Sequence, residues 1–140
     1  MHLLDVNVWL GLAFKRHKHH GSAIAWLRSI GQMPCCFCRL TQMGFLRLAT
    51  NPQAMGNEVV TLQQAWMAYD AFIADPYVGY IEEPIGIEPA WRALTQHKSF
   101  SPKLWNDAYL AAFAQTLDCE FVTFDKGFVQ YTNARCMILP

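Results

Sequence analysis

Two spacings of apolar residues run through the 140-residue chain. Short apolar stretches predict strands at His2–Leu4, at the proline-started PCCFC (34–38), and at VGYIEEP (78–84), EFVTF (120–124) and RCMIL (135–139). Between them apolar side chains recur every third or fourth residue, the spacing of a helix with one buried face. Val8–Phe14 predicts a helix or turn, and Gly21-Ser22 offers an N-cap to a helix carrying Ala23, Trp26, Leu27 and Ile30. LTQMGFLRLAT (40–50) predicts a helix ending near Asn51-Pro52, where proline blocks continuation. Thr61-x-x-Gln64 has the form of a capping box, and Leu62, Ala65, Trp66, Tyr69, Phe72 and Ile73 extend its stripe towards Asp75-Pro76. IEPAWRALTQH (87–97) has proline in its first turn, and Ser101-Pro102 opens a helix that buries Leu104, Ala108, Ala111, Ala112 and Leu117. Strands alternating with helices predict a mostly parallel sheet covered on both faces.

Composition narrows the reading. No repeat, linker or charge run divides residues 1–140, so one domain is expected. Eleven basic and eleven acidic residues cancel, which excludes a chain held on nucleic acid by overall charge and leaves only a local phosphate contact. The cysteines (Cys35, Cys36, Cys38, Cys119, Cys136) are odd in number and three crowd into four positions, unlike a disulfide framework or a zinc motif. They read as buried thiols of a reducing cytosol. Neither a signal peptide nor a membrane span is present in the pattern, and a cytoplasmic protein is expected.

The candidate chemistry lies where acids interrupt apolar sequence. His2–Leu4 runs directly into Asp5, and EFVTF runs into Asp125. Ligands of a parallel sheet bind at the carboxyl ends of its strands, so these two acids from opposite ends of the chain can face one crevice. Asp107, in LWNDAYLAAFAQ, stands near the start of the alanine-rich helix. Crowded carboxylates repel unless protons or a cation neutralise them, and hard oxygen donors without histidine or cysteine suit Mg²⁺ or Mn²⁺. Such an ion serves phosphodiester hydrolysis. Asp70, Asp75 and Asp118 read as solvated, and Glu82, Glu83 and Glu88 as residues of element ends.

Four segments carry a family likeness. LLDVNVWL (3–10), LTQMGFLRLATNP (40–52), NDAYLAAFA (106–114) and FVTFDKGF (121–128) resemble, in order and spacing, the PIN-domain ribonucleases, in particular the VapC toxins of toxin–antitoxin pairs. HKHHGSAIAWL (17–27) resembles the histidine-rich stretch of one subgroup. The resemblance implies a three-layer α/β/α sandwich and an endoribonuclease dependent on Mg²⁺ or Mn²⁺. It also implies a VapB-type antitoxin partner and a homodimer. It places three members of an acidic quartet on Asp5, Asp107 and Asp125, the metal ligands, and the remaining one on Gln42, where the family normally has glutamate. Asn7, Arg47, Thr123 and Lys126 are the expected supporting or substrate-binding residues. Glutamine keeps a carbonyl oxygen but loses a charge, so a weak or silent RNA- or antitoxin-binding module is the alternative. A small-molecule phosphohydrolase is disfavoured, because Asp5-Val6-Asn7 is not an Asp-x-Asp motif.

Other residues leave several readings open. KRHKHHG (15–21) fits a solvated loop, an RNA-contacting patch or a transition-metal site. Arg47 fits an ion pair to the acids, a phosphate contact or a surface position. His97 reads as structural, Trp26, Trp66 and Trp91 as core or interface, and Trp9 and Trp105 are undecided beside the acids.

Overall fold

The computed structural model describes residues 1–140. Five strands, β1 (His2–Leu4), β2 (Cys35–Phe37), β3 (Val78–Tyr80), β4 (Glu120–Thr123) and β5 (Arg135–Ile138), pair in the order β3-β2-β1-β4-β5, and every pairing is parallel. The helices are α1 (Val6–Ala13), α2 (His20–Ile30), α3 (Arg39–Ala49), α4 (Pro52–Met55), α5 (Leu62–Ile73), α6 (Ile87–Leu94) and α7 (Lys103–Leu117). Short 3₁₀ turns follow at Gly56–Glu58 and Lys126–Gln130.

Alternation along the central strands divides the core in two. Leu3 and Phe121 face α6 and α7, with Ala108, Ala111, Ala112 and Phe113 packed against them. Leu4 and Val122 face the other way, onto Val8, Trp9, Phe45, Ala65 and Tyr69 of α1, α3 and α5. A sheet buried on both faces needs apolar residues at successive positions, which is why β1 and β4 read as uninterrupted apolar runs. The result is the expected three-layer α/β/α arrangement. Trp9 belongs to this core, stacked on Phe37 with ring centroids 3.8 Å apart. The five cysteines are free thiols, four of them buried.

Two expectations need correction. Gly21 and Ser22 lie inside α2, which starts at His20 without a side-chain cap; His20 Nδ1 instead meets the Gly11 carbonyl oxygen at 2.7 Å, fixing the turn from α1. The helix over 40–50 ends where expected, at Ala49, and the Asn51 side chain then caps a separate short turn, α4. The capping box at Thr61 and Gln64 forms in full, but of the α5 stripe only Ala65 and Tyr69 are buried. Leu62, Trp66 and Ile73 project from the surface, with Leu62 75% exposed. Four- and eleven-residue spacings put these three on one ridge.

The site depends on how α3 lies against α1. A Cβ on Gly44 would stand 2.5 Å from Val6 Cγ2, so the α1–α3 contact next to Asp5 admits only glycine. Gly44→Ala is expected to destabilise the fold by about 1–3 kcal/mol in urea unfolding, despite the higher helix propensity of alanine. Adding Val6→Ala, which removes the obstructing methyl, is expected to restore most of that loss.

Candidate active site

The order β3-β2-β1-β4-β5 places a topological switch point between β1 and β4, the position where open parallel sheets bind ligands. Register pairs Leu4 with Val122, so the residues just beyond, Asp5 and Thr123, leave the sheet side by side. Thr123 Oγ1 donates to Asp5 Oδ2 at 2.5 Å, and Asn7 Nδ2 donates to the same oxygen at 2.9 Å and to Thr123 Oγ1 at 3.1 Å. The Asp125 backbone N–H closes the group by donating to Thr123 Oγ1 at 2.9 Å, and the Phe124 N–H reaches Asn7 Oδ1 at 3.2 Å. Asp5 Oδ1 also accepts from the Val6 N–H at 2.7 Å, capping α1. The isolated charge of the opening sequence is thus held by a helix start and two polar side chains.

Asp107 and Asp125 meet across a lysine that the sequence reading overlooked. Lys103 Nζ stands 2.6 Å from Asp125 Oδ2 and 3.6 Å from Asp107 Oδ2. Its place one helical turn before Asp107 was the available signal. Asp125 additionally accepts from the Gly127 N–H at 2.8 Å.

Electrostatics separate the three acids. Burial pushes the Asp5 carboxyl up to about 6; the hydrogen bonds from Thr123 and Val6 oppose the shift, and the charges of Asp107 and Asp125 add to it. Burial also raises Asp107, assisted by Asp125 and opposed by Lys103. Asp125 moves the other way, held below the ordinary carboxylate range by the hydrogen bond from Lys103.

The remaining candidates fall in different places. Gln42 is buried on α3 and its Oε1 accepts from the Arg39 guanidinium. It makes no hydrogen bond with the acids. Arg47 is exposed further along α3 and forms no ion pair, so the pairing with the acids considered for it is absent. A spacing of five residues from Gln42 turns it away from that side chain. Lys126 is exposed at the 3₁₀ turn after Asp125. The basic loop is partly anchored: His19 stacks on Phe124 with centroids 4.0 Å apart and rings within 7° of parallel. Trp105 is largely exposed and its carbonyl accepts from Trp91 Nε1, and His97 is exposed in the loop before α7.

The donors have the chemistry of a hard-cation site. Three carboxylates feel one another's charge, and the Lys103 ammonium already sits as a cation between two of them. As arranged, no three acidic, histidine or cysteine side chains stand close enough to hold one ion.

Comparison with known proteins gives concordant results. The family profile described as PIN domain matches residues 2–133. The chain is 44% identical to Ribonuclease VapC41 of Mycobacterium tuberculosis (strain ATCC 25618 / H37Rv), over 99% of each chain. It is 28% identical to Ribonuclease VapC38 of the same strain, over 96% of this chain and 92% of the relative. Among solved structures, Mycobacterium tuberculosis VapC20, a Sarcin-Ricin loop cleaving toxin, superposes with a TM-score of 0.71 at 17% identity, covering the whole of both chains. VapBC2 from Rickettsia felis, bound to a DNA fragment from their promoter, gives 0.71 at 13% identity, over 99% of this chain and 98% of that one.

The raised carboxyl at Asp5 makes a stability prediction. Its folded value lies above the unfolded one, so the native state binds the extra proton between about pH 4 and 6, and the fold loses stability as pH rises through that window. Asp5→Asn keeps the cap through its one carbonyl oxygen and removes the buried charge, but loses the two bonds that Oδ2 accepts, because an amide nitrogen only donates. Thermal unfolding is expected to show the stability of Asp5→Asn rising relative to the parent by on the order of 2 kcal/mol between about pH 3.5 and pH 7, on top of a pH-independent loss from the two missing bonds.

Proposed function

This chain belongs to the PIN-domain family, and on that footing we propose that it is an endoribonuclease toxin of the VapC kind, cleaving RNA with water activated by Mg²⁺ or Mn²⁺. The observation that carries the reading is the convergence of three acids at the switch point of the sheet, Asp5 within the electrostatic reach of Asp107 and Asp125 and those two joined through the Lys103 ammonium.

In this reading Asp5, Asp107 and Asp125 hold the ion. A bound divalent cation supplies an acidified, oriented water and neutralises charge at the scissile phosphate. The other groups prepare the carboxylates. Thr123 and Asn7 fix Asp5 Oδ2 from two directions, so that its free lone pairs keep one orientation. The Gly127 N–H does the same for Asp125. Lys103 balances part of the negative charge and, once displaced, stands beside the site as a cation able to meet a phosphate oxygen. Gln42 contributes by holding Arg39 at the rim. The silent-module alternative gains nothing from the likeness to named ribonucleases.

The family reading extends to partners. A VapB-type antitoxin is the proposed binding partner, in line with the VapB-bound relative of the same fold. The apolar ridge of Leu62, Trp66 and Ile73 on α5 supports a homodimer. No helix is long and apolar enough to cross a membrane.

Cleavage of single-stranded RNA by purified protein tests the proposal. Activity is expected with Mn²⁺ or Mg²⁺, is expected to stop with EDTA, and is expected to fall by at least about a hundredfold in Asp107→Asn and Asp125→Asn. Cleavage indifferent to EDTA and to both substitutions would overturn the assignment.

A further inference from the structure

At the same edge of the sheet as the acids lies a cleft of about 520 Å³, within the range of small-molecule pockets. It lies between α3, the end of β3, α6 and α7, and its lining includes Arg39, Tyr80, Glu83, Trp91, Asn106 and Tyr109. Asn106 adjoins Asp107, and Arg39 is the residue bonded to Gln42, so the cleft and the acids share the carboxyl edge of the sheet.

The lining selects an occupant. Tyr80, Trp91 and Tyr109 supply aromatic surface, with Trp91 and Tyr109 edge to face at 5.5 Å. The Trp91 N–H is already spent on the Trp105 carbonyl, which leaves that ring to act through its surface. The Arg39 guanidinium lies 4.8 Å from the Tyr80 ring centroid and has no carboxylate partner, so it is available to an anion. Glu83 is held by the Tyr109 hydroxyl at 2.9 Å through Oε1, and its Oε2 accepts no hydrogen bond from the protein. Glu82, also in the lining, adds a second carboxylate, which repels phosphate from that wall. A flat group bearing N–H donors, attached to a phosphate that reaches Arg39, satisfies every feature. That description is an unpaired nucleotide, since single-stranded RNA is read by stacking bases on aromatic or guanidinium planes and bonding their Watson–Crick edges. Guanine presents two adjacent N–H donors on that edge, matching both oxygens of a carboxylate, whereas uracil presents one.

We propose that this cleft is a base-recognition subsite for an unpaired guanosine of the RNA, with Glu83 reading its Watson–Crick edge and Arg39 holding the adjoining phosphate. The inference rests on the ribonuclease reading for the identity of the polymer, but the binding it claims is separable from cleavage. Tyr109 is a positioning residue, acting through Glu83.

The test is binding of the ribodinucleotides GpA, ApA, CpA and UpA to the intact chain in EDTA, followed by NMR shifts of the Trp91 and Tyr109 rings. GpA is expected to bind at least about fivefold more tightly than UpA, a difference of one hydrogen bond. Glu83→Gln is expected to abolish that preference, Tyr109→Phe to weaken it, and Arg39→Ala to weaken all four ligands while Arg39→Lys recovers part of the loss. Circular dichroism of each variant verifies folding. Equal affinities for the four dinucleotides, or a preference that survives Glu83→Gln, would overturn the subsite. So would silence towards all four combined with shifts on adding an arginine-containing peptide, which would mark a protein-binding cleft. Because no metal or turnover is involved, base-selective binding by a chain that cleaves nothing would refute the ribonuclease and leave the subsite standing.

Discussion

The parallel pairing of β1 with β4 is the constraint on which the rest of the molecule depends. Residues 2–4 and 120–122 are joined in register although more than a hundred positions separate them, and this brings both strand ends to the same edge. The Asp5–Thr123 hydrogen bond then converts adjacency of backbones into a fixed relation between side chains. Asn7 adds a second tie because α1 begins immediately after Asp5 and turns it back towards β4. Loop closure of this length is entropically expensive, and it is sustained by apolar burial on both faces of the two strands.

That arrangement stores unfavourable charge where chemistry needs it. Burying a carboxylate among others is repulsive, and a protein selected only for stability would replace one. Three carboxylates against one ammonium leave the site with a net charge of minus two when all are ionised. The helix cap on Asp5 and the N–H groups of the turn after Asp125 reduce the repulsion without removing the acceptors.

Much of this was legible in sequence because it is local. The apolar runs of β1 and β4 followed by Asp5 and Asp125, the α3 stretch ahead of Asn51-Pro52, and the proline before α7 each follow from a short-range rule. The parts that were missed depend on packing. For α5, spacing reports a face and not what covers it; α1, β2 and α3 take up the strip of Ala65, Tyr69 and Phe72 and leave the rest bare. The cap of α2 was misplaced because His20 is recruited by the Gly11 carbonyl, a tertiary contact. Lys103 was within reach of helical spacing from Asp107, whereas Arg39 and Glu83 were not, since their positions come from the convergence of four separate elements. Gln42 was found by likeness alone, and its partner Arg39 emerged only with the fold.

The free thiols carry a consequence of their own. Burial pushes Cys35 up to about 12 and Cys36 and Cys136 to about 11. At neutral pH roughly one in ten thousand of the latter two is thiolate, the form that attacks peroxide or a disulfide. Three sulfurs within four residues could otherwise crosslink wrongly under oxidative stress. Burial therefore shields these thiols once the chain has folded, so exposure to oxidants matters most before the fold is complete.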